Sequence, residues 1–177
     1  MGNIHKLQIP ILTLLSLIAV NGFSQSTASN SELINAAREI ISSAPTCALI
    51  TIDEEGKPSV RAMETLPLED NFTIWFGTNP KSRKVAQIKQ DARVTLYYLD
   101  SDASGYVTIH GIAKIIDNKK AKEAHWKEEW SAFYPNKEKG YVLIKVTPKS
   151  IEVISNSRGI AGDSITWEVP EVVFENK

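Results

Sequence analysis

Two periodicities divide the chain. Between Asn30 and Ser42 the apolar residues Leu33, Ile34, Ala37, Ile40 and Ile41 recur at helical spacing, and one stripe of a helix results. Asn30 or Ser31 is positioned to cap it, and Pro45 stops it. After Pro45 the period shortens to that of strands. Thr46 to Asp53 predicts a buried strand, Glu54 to Lys57 a hairpin turn, and Pro58 to Thr65 the returning strand. Alternation along that strand puts Arg61 and Met63 on one face, Val60 and Ala62 on the other.

Phe72 to Phe76 is aromatic and β-branched and predicts the next strand, ending in Gly77-Thr78. A helix is expected to follow at once, with Asn79 as N-cap and Pro80 at its first position. Ala92 to Leu99 and Tyr106 to Ile116 predict two further strands, the second interrupted at Gly111 by a bulge or bend. A second helix is expected from Asp117 or Asn118, amphipathic through Ala121, Ala124, Trp126, Trp130 and Phe133 and ended by Pro135. Gly140 to Thr147 and Ser150 to Ile154 are the last clear strands. Asn156 to Ser164 reads as a mobile stretch, and Trp167, Val169, Val172 and Phe174 as a sparse apolar tail. Six or seven strands with few helices suggest a small closed β-barrel.

Composition changes the picture at the N-terminus. The apolar run Leu7 to Val20, broken by Pro10 and followed by Gly22-Phe23-Ser24, has the pattern of a secretory signal cleaved between Ser24 and Gln25. An uncleaved membrane anchor is the alternative. The expected organisation is a signal peptide over 1–24, a polar leader over 25–30, one domain over 31–155 and a tail over 156–177. The protein is then secreted or periplasmic, with no stable membrane span once the signal is gone. The whole chain carries 42% hydrophobic and 23% charged residues and a formal net charge of −1. That is globular composition, without a general electrostatic pull on nucleic acid. The single cysteine, Cys47, lies in an apolar run and reads as a small core residue.

Candidate chemistry concentrates at Thr78 to Lys84. Lys81, Arg83 and Lys84 would oppose the macrodipole at a helix start, where negative charge is preferred. An anion held against the first-turn N–H groups, with the hydroxyls of Thr78 and Ser82 as further donors, would account for them; a solvated basic turn is the plain alternative. Arg61, in mid-strand, is either a charge aimed into a cleft or an edge-strand arginine reaching for water. The chain has no Gly-x-Ser-x-Gly, Gly-x-Gly-x-x-Gly, P-loop, His-Glu-x-x-His or Cys-x-x-Cys motif. His110 and His125 stand without the partners a metal site requires. No catalytic residue is named by the sequence, so any enzyme here borrows its reactivity from a cofactor.

Four blocks taken together carry a resemblance. They are Cys-Ala-Leu-Ile-Thr-Ile-Asp-Glu-Glu-Gly-Lys-Pro-Ser-Val-Arg-Ala-Met, Ile-Trp-Phe-Gly-Thr-Asn-Pro-Lys-Ser-Arg-Lys-Val-Ala-Gln-Ile, Ala-Arg-Val-Thr-Leu-Tyr-Tyr and Gly-Tyr-Val-Thr-Ile-His-Gly-Ile-Ala. The chain resembles the pyridoxamine 5′-phosphate oxidase-like superfamily of FMN-binding split β-barrels, in particular the branch containing general stress protein 26. The resemblance implies a mainly β (α+β) fold, a six- to seven-stranded split β-barrel with a few flanking helices. It also implies a homodimer with FMN at the interface. Arg61 with Ala62, Met63 and Glu64 would border the phosphate, ribityl chain and ring. Gly77 and Thr78, then Ser82, Arg83 and Lys84, would hold the phosphate and ribityl oxygens. Tyr106 falls where the oxidases place a glutamine that reaches the cofactor from the partner.

The departures are equally definite. Leu66 stands where the true oxidases carry a lysine, their Tyr, Arg and Ser substrate clamp has no match between His125 and Trp130, and their C-terminal Trp and basic block is missing. Ile154 stands near where stress-protein relatives often have Trp. Oxidation of pyridoxamine phosphate is not expected. The expectation is an exported FMN-dependent oxidoreductase exchanging electrons with a small-molecule donor or acceptor. The alternative is a non-catalytic module that binds a flavin or haem, with FAD as a further cofactor alternative.

Overall fold

The computed structural model describes residues 28–175; the expected signal segment and its cleavage point lie outside the described residues. The order of elements is α1 (Asn30–Ser43), β1 (Thr46–Ile52), β2 (Pro58–Glu64), β3 (Ile74–Thr78), α2 (Arg83–Gln90), β4 (Arg93–Leu99), β5 (Gly105–Ile116), α3 (Lys119–Ala124), β6 (Val142–Ser155) and β7 (Glu171–Val173). One 3-10 turn, Glu128–Ala132, follows α3 and another, Asn156–Arg158, follows β6. The helix α1 opens with a capping box: the Ser29 hydroxyl accepts from the Glu32 amide while the Glu32 carboxylate accepts from the Ser29 amide. The cap is therefore one residue earlier than Asn30.

The seven strands form one antiparallel sheet in the order β2-β1-β4-β5-β6-β3, with β7 beside β6. The hydrogen-bonded path is not closed, which corrects the expectation of a closed barrel. Strands β2 and β3 do not pair with each other; β3 pairs with β6, and the segment between β2 and β3 folds back through Leu66 N to Trp75 O and Glu69 N to Thr73 O. The two ends of the path, β2 and β3, carry Arg61 to Glu64 and Gly77-Thr78 of the candidate site.

The interior is filled by Leu49, Phe76, Leu96, Ile109, Ile144 and Ile151, with the stripe of α1 laid against them. A second, aromatic cluster of Leu66, Trp75, Trp130, Tyr141 and Leu143 lies on the other face of β3. Strand β3 starts at Ile74 and runs through Thr78, later than the aromatic pattern suggested. Phe72 sits at φ 60, a left-handed value that takes it out of the strand although its ring is buried.

Gly111 marks an irregularity, as its sequence position implied. His110 faces Ser150 while Gly111 faces Pro148, so Lys149 of β6 is the extra residue of a bulge, and the two expected last strands are one. The second helix is shorter than expected. It ends at Ala124, where Tyr141 donates to the Lys122 carbonyl and His125 Nδ1 lies 2.9 Å from the Ala121 oxygen. A side chain thus takes the Lys122 carbonyl that a continuing helix would have used, and Phe133 is left exposed. Past Ser155 the chain returns to the sheet. Ile160 is buried beside Ser155, β7 buries Val172, and the Phe174 ring meets Phe72 at 5.7 Å.

Candidate functional site

The β1–β2 hairpin pairs Leu49 with Arg61 and Thr51 with Ser59, so Arg61 shares the inward face with buried Leu49 and Thr51. Its side chain turns toward α2. Nη1 donates to the Thr51 hydroxyl at 2.6 Å and to the Leu49 carbonyl at 3.4 Å, and Nη2 donates to Gln87 Oε1 at 3.0 Å. Arg61 is not an edge arginine reaching for water.

The strand β3 delivers Thr78 to the same region. Lys84 Nζ donates to the Thr78 hydroxyl at 3.1 Å, and the hydroxyls of Thr78 and Ser82 lie 3.4 Å apart. The helix after it begins later than the sequence suggested, at Arg83. Asn79 Oδ1 accepts from the Lys81 amide and the Asn79 carbonyl accepts from the Ser82 amide, closing a turn with Pro80 at its second position. Lys81 is exposed and precedes the helix, while Arg83 and Lys84 occupy its first turn. Ser82 is the N-cap residue, yet its side chain makes no cap bond. The hydroxyl is thereby left for another partner.

The charges of these cations act on one another. Burial, and then the charge of Arg83, push the Arg61 guanidinium below its ordinary pKa. Burial, and then the charge of Arg61, do the same to Lys84. Among the described residues no ion pair joins Arg61, Arg83 or Lys84 to a carboxylate. Like charges held together without a counter-charge are costly, and a bound anion removes that cost. A phosphate group fits this donor set of guanidinium, ammonium and hydroxyl groups.

The remaining expected residues divide by face. Met63 follows Arg61 inward and packs on the core. Ala62 and Glu64 point outward, and Glu64 pairs with Lys127 at 2.7 Å. Gly77 lies under the Trp130 ring. Tyr106 stacks on Tyr97 at 5.3 Å on the outward face of the sheet, away from the inward cluster. That outward face also exposes Val60, Leu99 and Ile112, and Val60, Ala62, Tyr97 and Leu99 line a shallow groove of about 430 Å³ there. Within this chain Tyr106 therefore does not join Arg61, Thr78 and Lys84.

Three residues of the network were not anticipated from the sequence: Thr51, Ser59 and Gln87. Gln87 Nε2 donates to the Ser59 hydroxyl at 3.1 Å, and the Thr51 hydroxyl donates to Gln87 Oε1 at 2.6 Å. One signal was available, since Gln87 follows Arg83 and Lys84 by a single helical turn. The histidines lie elsewhere. His110 contacts Thr95 and Glu152 on the outward face, and His125 stacks on Trp75 with ring centres 4.1 Å apart.

Comparison with known proteins bears on the fold. The crystal structure of general stress protein 26 from Bacillus anthracis str. Sterne is similar with a TM-score of 0.59 and 23% identity, over 68% of this chain and 92% of that one. A Clostridium acetobutylicum protein related to general stress protein 26 of B. subtilis gives 0.65 and 19%, over 82% and 96%. A pyridoxamine 5′-phosphate oxidase-related, FMN binding protein from Nostoc punctiforme PCC 73102 gives 0.61 and 16%, over 86% and 100%. At these identities the likeness shows the fold. Comparison with the curated proteins finds no match by sequence. The description "pyridoxamine 5′-phosphate oxidase like" matches residues 32–167, spanning every strand but β7, and the chain belongs to that family.

Proposed function

We propose that the protein binds FMN by its phosphate between β2, β3 and the start of α2, and works as an exported FMN-dependent oxidoreductase. One observation carries the reading. Lys84 meets the Thr78 hydroxyl beside Ser82, the charges of Arg61 and exposed Arg83 act on the same region, and among the described residues no carboxylate pairs with any of the three. The Nostoc relative, an FMN binding protein, supports the choice of cofactor. Gly77 and the strand Ala62 to Glu64 would flank the ribityl chain and ring. The outward face that carries Tyr97, Leu99 and Tyr106 supports a homodimer in which Tyr106 of each chain serves the other's cofactor. Export rests on the Leu7 to Val20 run.

When bound, the flavin supplies hydride and electron exchange with a small molecule. The chain's own part is to clamp the phosphate, orient the ring and set what approaches it. Leu66 argues against pyridoxamine phosphate as substrate: it is buried in the aromatic cluster with Trp75 and Trp130, where a lysine ammonium would lose its hydration. A non-catalytic flavin- or haem-carrying module is the second reading. It is favoured by the absence of any carboxylate or imidazole among the residues that make up the cluster. Stopped-flow absorbance separates the two: reduction of bound flavin by a nicotinamide followed by reoxidation by an acceptor supports the enzyme, and a flavin inert to every donor supports the module.

A further inference from the structure

We propose that Gln87 is a positioning residue that holds Arg61 without neutralising it, so that the guanidinium keeps its charge for the cofactor phosphate. The inference rests on the phosphate site proposed above. Three acceptors meet the guanidinium, namely the Leu49 carbonyl, the Thr51 hydroxyl and the Gln87 amide oxygen, and all three are neutral. Arg61 is thereby oriented by hydrogen bonds that leave its net charge intact. A carboxylate in the same place would make a stronger, charge-assisted contact and would cancel the field that attracts an anion.

The orientation of Gln87 is fixed from its other end. Its Nε2 donates to Ser59 while its Oε1 also accepts from Thr51, so a flipped amide would put N–H groups against both Arg61 and the Thr51 hydroxyl hydrogen. Helical spacing explains why α2 supplies this residue. Positions three and four apart share a face, so Gln87 lies one turn beyond Arg83 and Lys84 on their side of the helix. The first turn of α2 brings cations to the site, and the second brings the neutral brace for a third.

The test compares FMN with riboflavin, which lacks only the phosphate, in fluorescence titrations of the purified protein and of Gln87→Glu and Gln87→Leu. The glutamate variant is expected to lose about 100-fold in FMN affinity, and the leucine variant about 5- to 10-fold. Riboflavin affinity should stay within about threefold of wild type in both, because a loss of structure would weaken both ligands together. Unchanged FMN affinity in Gln87→Glu overturns the inference, as does a parallel loss of FMN and riboflavin. Wild-type protein that binds FMN no tighter than riboflavin overturns the phosphate site itself, and the role of Gln87 with it. Should Gln87→Glu not fold, Gln87→Leu carries the test alone: FMN affinity equal to wild type, or a parallel loss of riboflavin affinity, overturns the inference.

Discussion

The Trp130 ring lies directly against the backbone of Gly77: a Cβ placed on that glycine would fall 2.5 Å from Trp130 Cη2. Only a residue without a side chain allows this approach. The contact fastens the 3-10 turn after α3 to β3 one residue before Thr78, so the aromatic cluster helps to fix where the site hydroxyl stands.

Gly77→Ala is therefore expected to destabilise the protein by about 1–3 kcal/mol, the usual cost of overpacking a filled site. Chemical denaturation measures it. Pairing the change with Trp130→Leu should recover part of the loss, because the two residues are in contact and their effects couple.

Arg61→Ala and Lys84→Ala should each weaken FMN binding by about 1.5–3 kcal/mol, the range for a lost charge-assisted contact. Calorimetric titration gives the two affinities. Unchanged binding in both variants would contradict the phosphate site.

Two serines at helix N-caps should respond in opposite ways. Ser29 makes both halves of a capping box, and Ser29→Ala is expected to cost about 1 kcal/mol of stability while leaving FMN affinity alone. Ser82 makes no cap bond, so Ser82→Ala should leave the melting temperature nearly unchanged and weaken FMN by about 1 kcal/mol. Thermal melts and flavin titrations on the same pair of variants decide it.

Cys47 is buried, and burial pushes its thiol up from 9.0 to about 12. The folded state favours the neutral thiol, so its contribution to stability is complete below pH 9.0 and is lost as pH rises toward about 12. Alkylation at pH 8 should be slow in the native protein and fast in denaturant; rapid native labelling would show an accessible thiolate.

The sequence made the β1–β2 hairpin legible, because alternation and the Glu54 to Lys57 turn together set a register, and Gly56 indeed takes the left-handed conformation there. The cations of the candidate site were legible as an excess of positive charge where a helix dipole disfavours it. Asn79-Pro80 misled because the same pair suits a helix start and a tight turn; the Asn79 carbonyl accepts from the Ser82 amide and Ser82 is extended, so the helix proper starts only at Arg83. The second helix was overextended because Trp126 and Trp130 keep helical spacing while packing on Tyr141 across a break. The brace around Arg61 was invisible for a different reason. Thr51, Ser59 and Gln87 come from three elements, and only their tertiary placement turns common polar residues into a network.

The most direct measurement is the visible absorption spectrum of the purified protein, with the released chromophore identified after denaturation. The account predicts a flavin spectrum and FMN as the released species, or a colourless protein that takes up FMN stoichiometrically when it is supplied. A haem Soret band, or a protein that fails to bind FMN at any concentration tried, would contradict it.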